Sequence, residues 1–144
     1  MKNIAVIYWS GTGNTQQMAV ALAEGAGVQD IEVVLKEVSS ASKEDILKAD
    51  AVALGCPSMG CEVLEESEME PFVESIEADA LTGKPLALFG SFDWGEGQWM
   101  DDWQERMSSG GAKLVADGLK IHNTPDDEGL KLCRELGSKL AASL

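Results

Sequence analysis

The chain has 144 residues, 44% hydrophobic and 25% charged, the make-up of one globular domain that can bury a core without disulfides or a structural metal. Its 25 acidic residues against 11 basic ones give a formal net charge of −14. That balance excludes nucleic acid and anionic lipid as partners, since both need cations facing their phosphates; it suits either simple solubility or steering toward basic docking sites.

Residues 4–8, Ile-Ala-Val-Ile-Tyr, are a short continuous apolar run, as expected of a strand buried on both faces. A glycine-rich turn follows. Residues 15–26 read as a helix with Met18, Ala19, Leu22 and Ala23 as its apolar stripe. Residues 31–35 form a second strand. Ser42, with Asp45 at the capping-box position, starts a short helix that ends near Ala49. Residues 51–55 are a third buried strand, and residues 71–77 a helix with Pro71 in its first turn. Residues 85–89 are a fourth strand and residues 98–108 a helix. A fifth strand starts at residues 113–116 and extends toward Ile121, and Pro125 or Asp126 opens a last helix that reaches nearly to Leu144.

Five strands alternating with five helices predict a doubly wound α/β fold: a five-stranded parallel sheet with helices on both faces. Two strand orders, 3-2-1-4-5 and 2-1-3-4-5, satisfy the pattern equally. In both, ligands bind beyond the carboxyl ends of the strands where the order reverses. No linker or repeat interrupts residues 1–144, which read as a single domain. Cys56, Cys61 and Cys133 are an odd set with no CxxC pair, and read as free thiols of a reducing cytosol. The run from Ile4 to Trp9 is too short for a signal-peptide core and no apolar stretch of membrane-spanning length follows, so a cytoplasmic location is expected.

The loop after the first strand, Trp9-Ser10-Gly11-Thr12-Gly13-Asn14-Thr15, is built for a phosphate held without a cation. Its glycines let backbone amides approach an anion, the next helix offers its N-terminus, and Ser10, Thr12, Asn14 and Thr15 add side-chain donors. No Lys or Arg occurs between Asn3 and Leu35. A P-loop would need a lysine here, a dinucleotide fingerprint would need glycine where Gln16 stands, and a phosphoryl-accepting receiver domain would need carboxylates after the first strand. Taken alone, the same residues also make a plain strand-to-helix turn.

Tyr8-Trp9-Ser10-Gly11-Thr12-Gly13-Asn14-Thr15 resembles the FMN-phosphate loop of short-chain flavodoxins, most of all the clostridial type. The likeness continues in Leu54-Gly55-Cys56-Pro57-Ser58-Met59-Gly60, in residues 62–68, in Phe89-Gly90-Ser91-Phe92-Asp93-Trp94-Gly95, and in Gln98-Trp99-Met100. The resemblance implies the 2-1-3-4-5 order and non-covalently bound FMN. It implies a low-potential one-electron carrier that shuttles between semiquinone and hydroquinone. It places Ser10, Thr12, Asn14 and Thr15, with Gly11 and Gly13 amides, around the phosphate, and Ser58 and Ser91 near the ribityl chain and phosphate. Met59 and Trp94 fall where the ring is sandwiched; Trp9, Pro57, Phe92, Asp93 and Gly95 neighbour it. Glu62 falls where the pyrimidine edge donates a hydrogen bond. The peptide after Gly60 is expected to turn over on reduction and accept a hydrogen bond from flavin N5.

Three positions depart from the family pattern. Cys61 replaces an acidic residue and, in a type II turn, would take a positive φ that favours Gly or Asn. Asp93 replaces a frequent glycine and Phe92 a frequent tyrosine. Nine acidic residues and no basic one lie between Ala49 and Gly83, a setting that disfavours the anionic reduced flavin and lowers the last potential. Trp99 and Trp103, four apart on one helix face, read as core, and His122 as structural or exposed. The partners implied are ferredoxin-type oxidoreductases, such as a pyruvate oxidoreductase, and flavodoxin reductases with basic docking surfaces; a monomer is expected. The alternative is an FMN-dependent quinone or nitro reductase on the same fold, which would oxidise NAD(P)H unaided.

Overall fold

The computed structural model describes residues 2–28, 30–59 and 63–144. Strands β1 (Lys2–Tyr8), β2 (Ile31–Glu37), β3 (Ala51–Gly55) and β4 (Pro85–Phe92) pair in parallel in the order β2-β1-β3-β4. Two short strands in line, β5 (Lys113–Leu114) and β6 (Leu119–His122), occupy the fifth position, both parallel to β4. Of the two orders the pattern left open, this is 2-1-3-4-5.

Alternation along the strands builds two cores. Ile4, Val6 and Tyr8 of β1 pack with helices α1 (Asn14–Ala26) and α5 (Asp127–Ala142). Ala5 and Ile7, pointing the other way, join the core under α2 (Lys43–Lys48), α3 (Met69–Ile76) and α4 (Gln98–Ser109). An apolar residue is needed at every position, which is why the central strands read as unbroken runs. Trp99 and Trp103 lie in the second core, each about 1% exposed, as their spacing predicts. Helices α1 and α5 approach through glycine: a Cβ on Gly137 would sit 2.1 Å from the Leu22 carbonyl oxygen, and one on Gly25 2.0 Å from that of Arg134.

Among the described residues, side-chain caps set three of the five α-helix starts. The Asp45 carboxylate accepts the Ser42 N–H at 2.9 Å, as the sequence pattern predicts, and Asp126, not Pro125, caps α5 by accepting the Gly129 N–H at 2.7 Å. Helix α3 starts at Met69, ahead of the expected Pro71, because the Glu65 carboxylate accepts from the N–H groups of Ser67, Glu68 and Met69 at 2.6, 2.8 and 3.0 Å.

Two strand expectations need correction. The fifth strand is not continuous from 113 to 121. Between Leu86 and Phe89, β4 advances through Ala87 and Leu88 while its neighbour advances through residues 115–118, so the surplus cannot pair. Gly118 sits in that bulge, its N–H donating to Gln104 Oε1 at 2.7 Å, where any Cβ would meet Met100 Sδ at 2.4 Å. Strand β4 in turn extends past 89 to Phe92, because β6 pairs with residues 89–92. Ser91 and Phe92 are therefore strand residues and not part of the loop.

Candidate functional site

Strands β1 and β3 are joined up to the Trp9 N–H, which donates to the Gly55 carbonyl at 3.0 Å. Beyond it one chain turns toward α1 and the other toward α3, the crevice where open α/β sheets take ligands. A cleft open to solvent lies there. Its walls come from three sources: Trp9 to Thr12 with Asn14 and Thr15, then Pro57, Ser58 and Met59, then Ser91, Phe92 and Asp93.

The first wall is an anion cradle. Gly13 has φ +97°, the left-handed region that a side chain disfavours, and this turn aims the start of α1 into the cleft. Ser10 Oγ accepts the Gly13 N–H at 3.0 Å and holds the loop closed. The first amides of a helix have no intrahelical acceptor, and no acidic side chain occupies the first turn of α1. Among the described residues, no Lys or Arg lines the cleft.

The third wall is tied to the first by buried hydroxyls and to the second through the backbone. Thr15 Oγ1 lies 3.1 Å from Ser91 Oγ and also accepts the Ser91 N–H at 3.4 Å. The Ser58 N–H donates to the Ser91 carbonyl at 3.0 Å. Ser58 Oγ is buried with no hydrogen-bond partner among the described residues. A buried unpaired hydroxyl costs about 1–3 kcal/mol, so its presence in a cleft wall fits a ligand that supplies the missing bond.

Gly13 does not line the cleft, and its N–H is taken by Ser10 Oγ. Trp94 and Gly95 do not line the cleft; Trp94 is 59% exposed, just beyond Asp93, and Gly95 has φ +88°. The expectations for Gly60, Cys61 and Glu62 fall on residues outside those described. Met59 and Val63 on either side exchange reciprocal N–H to carbonyl bonds of 2.9 Å.

The acidic stretch is not a uniform solvated rim. Glu65 is buried as the α3 cap; burial pushes its pKa up, and the amides of Met69, Glu68 and Ser67 more than offset this, leaving the carboxyl below its ordinary value. Glu70 is held by a forked pair with Arg106 at 2.6 and 2.9 Å, and Arg106 also grips Glu77. Glu68 accepts the Trp9 indole N–H at 3.2 Å and so braces a cleft wall. Glu66 is left exposed. The sequence offers no direct sign of these partners, since Arg106 lies one helix away.

Cys56 is sealed behind the second wall, where burial pushes its thiol up to about 12, and the same cause lifts Cys133 to about 11. Both are free and buried in packing roles. His122 has no marked partner in the sequence; in the structure its Nε2 stands 3.0 Å from the Asp93 carbonyl and its ring 5.0 Å from that of Phe92. Only the pairing of β6 with β4 brings these together.

A doubly wound sheet whose switch point carries a cation-free anion cradle beside aromatic and thioether walls defines an α/β mononucleotide-binding protein. The flavodoxin family model matches residues 6–137. The chain is 46% identical to the flavodoxin of Clostridium beijerinckii, over 94% of this chain and 97% of that one, and 40% identical to the flavodoxin of Megasphaera elsdenii, over 96% and 98%. The solution structure of the two-electron-reduced Megasphaera elsdenii protein superposes with a TM-score of 0.85 at 38% identity, covering 96% of this chain and 98% of that one. The chain belongs to the flavodoxin family. Flavodoxins bind FMN and transfer electrons between redox partners. No helix among the described residues is long and apolar enough to cross a membrane.

Proposed function

We propose that residues 1–144 act as a single, monomeric, cytoplasmic flavodoxin domain that carries one electron at a time at low potential, with FMN held non-covalently in the cleft. FMN supplies a ring that takes up and gives back electrons singly. The observation that carries the assignment of this cleft is its wall of neutral donors at the start of α1, Ser10, Thr12, Asn14 and Thr15, joined by Ser58, whose buried Oγ has no partner among the described residues.

Ser10, Thr12, Asn14 and Thr15, with the amide of Gly11, hold the phosphate, while Gly13, whose N–H is taken by Ser10 Oγ, supplies the turn that the loop needs. Neutral donors suffice because the loop amides and the α1 N-terminus already bring positive potential. Ser58 and Ser91 take the ribityl side. Met59 and Trp94 flank the ring, with Trp9, Pro57, Phe92, Asp93 and Gly95 around it, and Gly60, Cys61 and Glu62 meet its N5 and pyrimidine edge. An indole and an adaptable thioether suit a flat aromatic group. Exposed carboxylates near the ring resist the last electron, which keeps the potential low. Partners of this carrier are ferredoxin-type oxidoreductases and flavodoxin reductases that present basic surfaces.

The test is anaerobic. The apoprotein takes up one FMN with loss of flavin fluorescence, dithionite reduces it in two separated one-electron steps, and NADPH alone leaves it oxidised. Absence of FMN uptake refutes the reading of the cleft; rapid reduction by NADPH alone refutes the carrier in favour of a quinone or nitro reductase.

A further inference from the structure

We propose that His122 is a positioning residue for the flavin site: through the Asp93 carbonyl it sets the direction in which the Trp94 loop leaves β4. The proposal rests on the FMN reading of the cleft and goes beyond it by assigning a role to the chain's one histidine.

His122 stands in register with Phe92 on the adjoining strand. The imidazole and the Phe92 ring are 5.0 Å apart at 53°, and Phe92 is in turn 5.7 Å from the ring of buried Trp99. The exposed imidazole is thus the outer member of an aromatic row that begins in the core. Its Nε2 is 3.0 Å from the Asp93 carbonyl oxygen. A carbonyl only accepts, so Nε2 carries the proton and donates. Nδ1 of the neutral ring is then the acceptor, and the Asn123 side-chain nitrogen, a donor, lies 3.3 Å from it. One tautomer satisfies both contacts.

The neighbouring residue completes the grip. Asn123 has φ +59° and its N–H donates to the Phe92 carbonyl at 2.8 Å. Two consecutive carbonyls of the cleft wall, those of Phe92 and Asp93, are therefore held by two consecutive residues, Asn123 and His122. The next residue is Trp94. Beyond it the chain passes Gly95 at φ +88° and Gly97 at φ +89° before α4 begins. Gly97 is fixed as the start of α4, its carbonyl accepting the Met100 and Asp101 N–H groups at 3.1 and 3.3 Å, so the bend between it and Trp94 falls at Gly95 and the Asp93 carbonyl is the fixed point on the strand side of the indole. A loop released there would still carry Trp94 but would not present it in one direction, and FMN would have to order it on binding.

Two substitutions separate the hydrogen bond from the ring packing. His122→Gln places an amide N–H the same number of bonds from Cα as Nε2 and keeps the donor. His122→Phe keeps a flat ring against Phe92 and removes the donor. Apoproteins labelled with 5-fluorotryptophan, with the Trp94 signal assigned by its loss in Trp94→Phe, are measured by fluorine NMR and then titrated with FMN. The proposal expects the Trp94 signal of His122→Phe to move toward that of the free amino acid. It expects the FMN dissociation constant of that variant to rise about three- to tenfold, the range of one hydrogen bond. His122→Gln keeps the wild-type signal and stays within about twofold in affinity. The proposal is overturned if His122→Phe leaves both readouts at wild-type values, or if His122→Gln is displaced as far as His122→Phe. A wild-type protein that binds no FMN while the NMR pattern holds would refute the flavin reading of the cleft, and with it the FMN part of this role, but not the grip on the loop.

Discussion

Ser58 and Glu65 show how one side chain can serve either the ligand or the fold. Ser58 Oγ is buried with no partner among the described residues, so it contributes nothing favourable to the apoprotein. Ser58→Ala therefore leaves the melting temperature of the apoprotein unchanged or slightly higher, while FMN affinity falls about fivefold or more, the loss of roughly one hydrogen bond. Calorimetry and a fluorescence titration check the two halves; a drop in apoprotein stability with no loss of affinity would make Ser58 structural. Glu65 is the reverse case. Its ionised carboxylate holds three backbone N–H groups at the start of α3, so Glu65→Gln destabilises the protein at pH 7 by about 1–2 kcal/mol. Its folded pKa is depressed. The stabilisation is therefore fully present above the unfolded value, about 4.3, and fades as pH falls through the lower folded one. Urea unfolding of both proteins at pH 7 and near pH 3 should show the gap closing on acidification; a gap independent of pH would mean that the charge on Glu65 is not what caps the helix.

At the scale of elements, the tightest joint is between α1 and α5. A Cβ on Gly137 would lie 2.1 Å from the Leu22 carbonyl oxygen and 2.9 Å from the Ala26 nitrogen, both fixed in helical backbone. Alanine favours a helix over glycine by about 1 kcal/mol, but forcing the helices apart costs about 1–3 kcal/mol. Gly137→Ala is expected to lower the melting temperature by on the order of 5 °C; an unchanged or higher value would show that the joint yields freely. Nothing in the sequence marks Gly137 as different from the other glycines, because the constraint belongs to a helix more than a hundred residues away. The central strands were legible for the opposite reason: burial on both faces writes itself into every residue of 4–8 and 51–55. Local chemistry was legible too, as in the Ser42–Asp45 start of α2 and the amide-rich loop from Ser10 to Thr15. The break between β5 and β6 was not, since it is set by the register of β4 and the approach of Gly118 to Met100. The grip of Arg106 on Glu70 and Glu77 was hidden in the same way.

At the scale of the whole molecule, what counts is which charges lie at each end of the sheet. Lys2 and Lys113 begin β1 and β5, Lys84 immediately precedes β4, and Lys48 ends α2 just before β3, so these four cations lie at the end of the sheet away from the cleft, while Lys36 of β2 and Lys120 of β6 lie toward the cleft end. Near the cleft, Glu66, Glu68, Asp93 and Glu96 are exposed. Glu65 and Glu70 are withdrawn from that set, one buried as a cap and the other shared with Arg106. With a net charge of −14, the protein attracts a basic partner at long range, and the exposed carboxylates beside the cleft give that partner a place to dock. The second-order rate of reduction by a flavodoxin reductase with a basic docking face should then fall by about tenfold or more between low salt and 0.5 M salt, as screening shortens the reach of the field. Glu66→Gln with Glu68→Gln should flatten that dependence and raise the potential of the last reduction step. The amide oxygen introduced at position 68 can still accept from the Trp9 indole, so only the charge is lost. Lys2→Gln with Lys113→Gln, at the far end, should leave the salt dependence nearly as steep as in the wild type. Stopped-flow rates across an ionic-strength series decide the matter: equal slopes for the glutamate variant and the wild type would mean that the partner does not approach the cleft end, and that the acidic excess serves solubility alone.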